Sequence, residues 1–337
     1  MTTPAGPHPG PLRIGPVEIA DPVLLAPMSG VTDLPFRRLV KRAGAGLVFS
    51  EMIASQAMIR QTRRSMKMAT NCAEEHPMAV QLAGCDPAAM AEAAKLNEDR
   101  GAAIIDINMG CPVKKVVNGQ AGSALMRDLG LAARLMEATV KAVSLPVTLK
   151  MRTGWDERSR NAPELARIAE ECGVTMVTVH GRTRCQLYRG RADWRFIRRV
   201  KEAVSIPVVA NGDVTTLDDV EVILEQSHAD GVMIGRGACG RPWFLGQAIE
   251  FLRTGRRLPD PGPAERKALL LEHFEATLVH YGTRHGIRIA RKHLGWYTKG
   301  LPRSAEFRGR VMRLDDAAAV RTAVDELFEP LIARRAA

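Results

Sequence analysis

The sequence predicts an α/β fold, a closed (β/α)8 TIM barrel followed by a small C-terminal helical bundle. Eight short runs rich in Val, Ile and Leu are each followed by a helix-compatible stretch, and the runs begin 23 to 44 residues apart. The runs are apolar throughout, as in parallel strands covered on both faces, and eight such units are typical of a closed barrel. An open doubly wound sheet is the alternative, but no GxGxxG phosphate loop follows the first run.

The predicted strands lie between short turns and helices. They are residues 23–28, 47–51, 78–83, 103–108, 147–151, 176–180, 208–211 and 231–234. Ahead of them, residues 12–19 alternate in polarity around Gly15 and Pro16. This pattern predicts a hairpin that closes the bottom of the barrel.

A change of composition follows the last strand and helix unit. Glycines and prolines interrupt residues 254–263, and such a segment breaks a helix. We therefore expect a barrel domain over residues 1–255 and a helical domain over residues 262–337. The helical periodicity of the second domain covers residues 264–281, 287–294 and 315–333.

Charge is unevenly distributed in this chain of 337 residues with a net charge of +11. Residues 284–313 hold nine Lys and Arg against Glu306 alone, and Trp296 and Tyr297 lie among them. A solvated helix face usually mixes both signs. The segment therefore favours a surface that binds a polyanion such as nucleic acid.

Cysteine spacing and hydropathy restrict the class of protein. The six cysteines form no CxxC pair, so we expect no zinc site, no iron–sulfur cluster and no redox dithiol. No uncharged apolar run approaches the roughly 18 residues of a membrane helix. We expect a cytoplasmic protein, a monomer, with no metal.

Cys111 is the first candidate for a reacting group. It lies between Gly110 and Pro112 in the segment Asn108-Met-Gly-Cys-Pro112, directly after a predicted strand. Core cysteines usually lie inside apolar stretches, whereas this thiol is at a rigid turn where enzymes present chemistry. A nucleophile, a metal ligand and a proton donor all fit this position, but no second cysteine or companion base supports the first two.

The predicted strands end in polar residues, which a barrel collects at one mouth. Gln81, Asn108, Lys150 and His180 are examples. The last two strands end in Asn211-Gly212-Asp213 and Gly235-Arg236-Gly237, whose glycines and arginine suit a phosphate. Lys150 lies at the end of an apolar strand, where a buried cation needs an anion to offset its desolvation. A reduced flavin would supply that anion.

Several motifs in the same order resemble the tRNA-dihydrouridine synthases, particularly the bacterial B-type branch, over essentially the whole chain. They are Ala26-Pro-Met28, Gln81-Leu-Ala-Gly84, Asn108-Met-Gly-Cys-Pro112, Lys150-Met-Arg-Thr-Gly154, His180-Gly-Arg-Thr183, Asn211-Gly-Asp213, Gly235-Arg-Gly237 and Arg291-Lys-His-Leu-Gly-Trp-Tyr297.

The resemblance implies an enzyme that holds FMN tightly and uses NADPH to reduce uridines in tRNA to 5,6-dihydrouridine. In the family, hydride passes from flavin N5 to uracil C6, and Cys111 would deliver a proton to C5. The residues implied to bind FMN are Ala26, Pro27, Met28, Gln81, Lys150, His180, Asn211, Gly212, Asp213, Gly235 and Arg236. A thiol of ordinary pKa stays protonated at neutral pH and can act as this acid.

The resemblance also implies contacts with tRNA. Asn108 and Arg152 would place the uracil, and Lys114 and Lys115 would face tRNA phosphate. The expected clamp in the helical domain is Arg291, Lys292, His293 and Tyr297, assisted by the basic segments 60–67 and 182–191. The target base must be turned out of the stacked tRNA to reach the barrel mouth.

Two other functions remain open from the residues. A flavin barrel could reduce a free pyrimidine, as dihydroorotate or dihydropyrimidine dehydrogenases do, but such an enzyme does not need the basic segment. A barrel that binds RNA without catalysis would not need Lys150 or Cys111. The position of the reduced uridine stays open, with the D-loop suggested by B-type relatives.

Overall fold

The computed structural model describes residues 9–336, so the first eight residues of the predicted barrel domain and the last residue of the predicted helical domain lie outside it. The strands are β1 Leu12–Ile14, β2 Val17–Ile19, β3 Val23–Leu25, β4 Val48–Phe49, β5 Ile53–Ala54, β6 Met78–Ala83, β7 Ile104–Met109, β8 Val147–Arg152, β9 Met176–His180, β10 Val208–Asn211 and β11 Gly231–Ile234. The helices are α1 Leu34–Arg42, α2 Ser55–Ile59, α3 Arg63–Met68, α4 Pro87–Glu98, α5 Lys114–Asn118, α6 Leu129–Ala142, α7 Ala162–Glu171, α8 Trp194–Lys201, α9 Leu217–Ser227, α10 Phe244–Thr254, α11 Pro263–Tyr281, α12 Thr283–Tyr297, α13 Ser304–Val311 and α14 Ala317–Ala336.

Eight parallel strands form a barrel, as the sequence predicts. Their order is β3, β11, β10, β9, β8, β7, β6 and β4. A parallel bridge between Leu24 and Leu47 joins the two ends of this order, and Leu25 N–H donates to the Leu47 carbonyl over 2.9 Å. The open doubly wound sheet is therefore wrong, and the carboxyl ends of all eight strands meet at one mouth.

The first two barrel strands are shorter than predicted. β3 ends at Leu25 and β4 at Phe49, whereas the predicted runs continue to Met28 and Glu51. Ala26 N–H still donates to the Ile234 carbonyl over 2.9 Å, but Pro27 has no N–H and cannot continue the ladder. The residues after β3 therefore turn into the mouth.

The predicted hairpin closes the bottom of the barrel. β1 and β2 pair antiparallel with Leu12 opposite Ile19. Both side chains are buried in a cluster with Met176, Val209 and Met233 from the barrel strands. The hairpin thus fills the end of the barrel opposite the mouth with apolar side chains.

Helices α11 to α14 pack around a second apolar core. Its members include Leu270, Phe274, Ile287, Val320 and Phe328. The sequence predicts α11, α12 and α14 but misses α13, which has eight residues and buries only Phe307 and Val311. Residues 255–262, without helix or strand, connect this core to the barrel.

The two cores meet along α1. Phe36 of α1 stacks on His273 of α11 with ring centroids 5.5 Å apart and lies 5.7 Å from His293 of α12. Arg42 also forms an ion pair with Glu272 over 2.6 Å. None of the described helices is both long enough and apolar enough to span a bilayer.

Candidate active site at the barrel mouth

The polar strand ends that the sequence singles out lie side by side at the mouth. In the parallel register, Asn108 of β7 is opposite Lys150 of β8. His180 of β9 is opposite Arg152 on one side and Asn211 on the other. The barrel therefore brings together side chains that are separated by as many as 103 positions in the sequence, from 108 to 211.

The turn that carries Cys111 is held on both sides. Asn108 Oδ1 accepts hydrogen bonds from the N–H groups of Gly110, at 3.1 Å, and Cys111, at 2.9 Å. The Cys111 carbonyl accepts from the Ser123 N–H at 3.1 Å and hydroxyl at 2.9 Å. Gly122 has φ of +60°, and a Cβ there would lie 2.8 Å from the Cys111 carbonyl, so this approach requires glycine.

The Cys111 thiol is kept protonated. Burial raises the pKa of this half-buried thiol, and the Val113 N–H and the Arg152 guanidinium oppose the shift without reversing it. A thiol with a raised pKa is a poor nucleophile but holds its proton at neutral pH. The site therefore suits a proton donor better than a thiolate.

A buried carboxylate lies beneath this turn. Asp106 accepts from Gln81 Nε2 and from the Thr148 hydroxyl, each at 2.7 Å. Burial raises the pKa of Asp106 to about 6, although the two hydrogen bonds and Lys150 lower it. Sequence reasoning missed Asp106, but an acidic residue within the apolar run 103–108 was a signal for it.

Lys150 presents a cation to the mouth. Its Nζ donates to Asn211 Oδ1 over 3.0 Å, and Asn211 Nδ2 donates to the Met233 carbonyl over 2.8 Å. Burial lowers the pKa of Lys150 to about 8, and Asp106 opposes the shift. An ammonium has three donors, and one is used within residues 9–336, so two N–H bonds of Lys150 remain for a ligand.

His180 is neutral at the neighbouring strand end. Burial lowers its pKa well below the usual value, and the nearby cations Arg152 and Lys150 lower it further. A Cβ at Gly212, where φ is +124°, would lie 2.8 Å from the His180 ring. Glycine at position 212 therefore leaves room for the imidazole at the rim.

Asp213 binds protein cations. It accepts from Arg182 Nη1 at 2.8 Å and Nη2 at 2.6 Å, from the Ala192 N–H at 2.9 Å, and from Arg236 Nη2 at 3.2 Å. These donors use both carboxylate oxygens of Asp213, and its contact with a cofactor stays a prediction. Arg236 is 59% exposed and is free to bind an anion as well.

The segment after β3 lies beside Gly235. A Cβ built on Gly235 would be 3.5 Å from Ala26 Cβ and 3.6 Å from Met28 Sδ. The Met28 carbonyl accepts the N–H groups of Val31 and Thr32 at 2.9 and 3.0 Å. Ala26, Pro27 and Met28 thus form the wall next to Gly235 and Arg236.

A family model described as Dihydrouridine synthase (Dus) matches residues 24–332. The chain belongs to the dihydrouridine synthase family. It is 57% identical over 324 residues to a "Probable tRNA-dihydrouridine synthase" of Rickettsia bellii, with 96% of this chain and 99% of the relative covered. A "tRNA-dihydrouridine synthase B" of Xanthomonas axonopodis pv. citri is 52% identical, with 96% and 97% covered, and one of Pseudomonas aeruginosa is 48% identical, with 94% and 96% covered.

Solved structures support the barrel fold. Histamine dehydrogenase from Rhizobium sp. 4-9 superposes with a TM-score of 0.54 at 15% identity, over 80% of this chain and 50% of that one. A 2-naphthoyl-CoA reductase superposes with a TM-score of 0.54 at 12% identity, over 74% and 52%. At these identities the likeness concerns the fold alone.

Arg152 holds loops together in this dihydrouridine synthase family member. Its Nε donates to the Gly110 carbonyl at 2.9 Å, and its Nη1 donates to the carbonyls of Thr183 and Leu187, each at 2.8 Å. The side chain is 2% exposed. The structure therefore places Arg152, like Asn108, against the turn of Cys111, where both fix its backbone.

Sequence reasoning missed Tyr188 at the rim. This side chain is 56% exposed, and its ring lies 4.8 Å from the Arg236 guanidinium and 5.6 Å from that of Arg152. The signal was a lone aromatic residue in the basic segment 182–191. Arg182 of that segment is buried against Asp213, so it does not offer its charge to an outside partner.

Two of the predicted contacts in the helical domain are wrong. His293 and Tyr297 are 3% and 0% exposed and belong to the core between α11 and α12, so they present no surface to tRNA. Arg291 donates to the Leu314 carbonyl and pairs with Asp315. Lys292 is half-buried with its Nζ bound to the Gly30 carbonyl of the barrel.

Lys114 and Lys115 lie on the exposed side of the mouth. They begin α5, directly after the Cys111 turn, and both are exposed. Their position next to the Cys111 turn leaves both ammonium groups accessible, and their contact with tRNA phosphate stays a prediction.

Proposed function

We propose that this protein is a tRNA-dihydrouridine synthase that reduces the C5=C6 bond of uridines in tRNA with FMN and NADPH. The observation that carries the proposal is the Cys111 turn, fixed by hydrogen bonds at the same mouth as Lys150 and Arg236. The named activity of relatives with 48 to 57% identity agrees with it.

The donors at the mouth fit a phosphorylated flavin. Lys150 has two unused N–H bonds, and Arg236 is exposed beside the glycine at position 235. FMN combines a phosphate with a ring edge rich in hydrogen-bond acceptors. We propose that Arg236, Gly212 and Gly235 bind the phosphate, that Lys150, Asn211, Gln81 and His180 face the ring, and that Ala26, Pro27 and Met28 form its wall.

The chemistry that FMN would supply at this mouth, after reduction by NADPH, is a hydride for uracil C6. Cys111 then delivers its proton to C5, because its raised pKa keeps the thiol protonated at neutral pH. Asn108 and Arg152 hold the Gly110–Cys111 turn from opposite sides. We propose that they place the acid over the base by fixing this turn.

The proposed tRNA-binding domain comprises residues 262–337, and the FMN-binding barrel comprises residues 1–255. Arg284, Arg288, Lys299 and Arg308 are exposed and form no ion pair within residues 9–336. Such groups are available for phosphates. The contacts that they make offset the cost of turning the target uridine out of the stack.

Replacing Cys111 with Ala tests the chemistry. We expect C111A to keep the yellow colour of bound flavin and to lose uridine reduction by about a hundredfold or more, the usual contribution of a general acid. Dihydrouridine formed in unmodified tRNA is the measurement. C172A is the matched control, since Cys172 is a free thiol at the C-terminal end of outer helix α7, and should keep full turnover. Near-full activity of C111A would remove Cys111 from the mechanism.

A further inference from the structure

The hydrogen bonds below Cys111 form a chain with a direction. At its upper end, the N–H groups of Gly110 and Cys111 can only donate, so Asn108 must turn Oδ1 toward them. Its Nδ2 then faces Gln81 and donates to Oε1 over 2.7 Å. The orientation of one amide therefore dictates the orientation of the next.

The chain ends at a group that can only accept. With Oε1 of Gln81 occupied by Asn108, Nε2 of Gln81 points to Asp106 and donates over 2.7 Å. A carboxylate accepts this bond, and the Thr148 hydroxyl donates to its other oxygen. Asp106 is 0% exposed, so bulk solvent does not reach these positions.

We propose that Asp106 is a positioning residue, which fixes the orientation of the Gln81 and Asn108 amides and through them the turn that presents Cys111. Asp106 lies two strand positions before Asn108, so both side chains face the barrel interior. The raised pKa of about 6 leaves the carboxylate ionised at neutral pH, with Lys150 as the nearby cation. This role rests on the proposed function of Cys111.

Exchanging the carboxylate of position 106 with the amide of position 108 tests the direction of the hydrogen-bond chain. Asn108→Asp keeps an acceptor for the two backbone N–H groups but places a second oxygen against Gln81 Oε1. If the Gln81 amide turns over, its Oε1 faces the Asp106 carboxylate instead, and two acceptors again oppose each other. N108D therefore needs one extra proton on a carboxylate to complete the chain. Asp106→Asn supplies an N–H at that end, and every bond in the double variant is then satisfied with Gln81 reversed.

The same substitution should therefore have opposite effects in two backgrounds. We expect D106N to lower kcat and the thermal midpoint in the parent protein. In the N108D background the same change should raise both, and kcat should rise about tenfold, as expected for relief of an unpaired buried group. The kcat of N108D should fall as pH rises, because the shared proton is lost, and the double variant should not show this fall.

The control is Thr178→Val in the same two backgrounds. Thr178 is a buried β9 residue whose hydroxyl has no partner within residues 9–336, and its effect should be equal in both. Equal effects of D106N in both backgrounds would overturn the proposal. If N108D does not retain flavin, recovery of the flavin spectrum in the double variant supports it, and a double variant equally colourless refutes it.

The thermal midpoints separate this inference from the proposed function. They are measured on holoenzyme without tRNA and do not depend on which group donates the proton. If D106N has opposite effects on the midpoint in the parent protein and in N108D, but C111A is active, the hydrogen-bond chain stands and Cys111 is not the acid. Equal effects combined with an inactive C111A would do the reverse.

Discussion

Asp213 joins two arginines that differ in burial. Arg182 is 2% exposed and pairs through both Nη atoms, whereas Arg236 is 59% exposed and shares one carboxylate oxygen. Burial alone would raise the pKa of Asp213, but Arg182 and the Ala192 N–H hold it below its usual range. The carboxylate thus neutralises a buried cation and orients an exposed one.

Asp213→Asn should destabilise the barrel strongly. Removing one partner leaves the Arg182 charge buried without compensation, which costs about 3 kcal/mol. Urea denaturation of the holoenzyme measures this free energy of unfolding. Glu202→Gln is the matched control, because the Arg198–Glu202 pair is exposed on α8 and contributes at most about 1 kcal/mol. Equal losses in both variants would contradict this account.

The sequence reveals some site residues and conceals others. The placement of Cys111 and Lys150 at the mouth could be predicted, because a thiol in a turn and a cation in an apolar strand are conspicuous by type and place. The role of Arg152 could not, because its acceptors are carbonyls of loops that only folding brings near. His293 and Tyr297 share a helix face with Ala290 and Leu294 at helical spacing, a signal that the surrounding basic residues obscured.

Within the helical elements, α11 and α12 bury two histidines against each other. The His273 and His293 rings lie 4.4 Å apart, and none of their nitrogens has a hydrogen-bond partner within the described residues. Burial lowers the pKa of His273 to about 3, with a contribution from Lys292, and lowers that of His293 well below its usual value. Both rings are therefore neutral in the folded protein.

This pair should make the protein sensitive to acid. A histidine with a depressed folded pKa contributes stability above its unfolded pKa of about 6.5, and this is lost as pH falls toward 3, by up to about 1.4 kcal/mol per pH unit. His273→Leu should flatten the decline between pH 6.5 and 5. Thermal unfolding at several pH values measures it.

His285→Gln provides the matched control for the acid sensitivity. His285 is an exposed histidine at the start of α12. We expect the pH profile of H285Q to follow that of the parent protein. An unchanged pH profile in H273L would refute the account.

Across the whole molecule, α12 connects the helical core to the mouth. One face of α12 buries His293 and Tyr297. Lys292, on another face, donates to the Gly30 carbonyl of the barrel. Arg288 lies four residues before Lys292, on the same side of α12, and Lys299 follows the C-terminal end of the helix. Both side chains are exposed, so their charges are available to a polyanion.

Reversing these two charges should weaken tRNA binding. We expect R288E/K299E to lower the affinity about tenfold at moderate salt and to reduce the slope of log affinity against log salt by about 2, one for each lost phosphate contact. Fluorescence titration with unmodified tRNA is the measurement. Arg195→Glu, an exposed change on outer helix α8, should alter neither quantity. A similar loss in R195E would indicate net charge alone.

The overall architecture could be predicted more completely than the contacts between its parts. Continuous apolar runs at regular spacing predict eight parallel strands, because strands covered on both faces are apolar throughout. α13 escaped prediction because its few apolar residues are separated by arginines and Gly309. The packing of α1 against α11 and α12 depends on side chains distant in sequence, which no local pattern reveals.

The short loop after β3 has consequences for exchanging domains between relatives. Glu51 of the barrel accepts the Gly30 N–H, and Lys292 of the helical core donates to the Gly30 carbonyl. One peptide position next to Met28 is thus fixed from two separate parts of the chain. In a chimera, residue 292 and the loop 28–32 must come from the same parent, because a mismatched pair would shift the wall of the mouth without altering any residue in it.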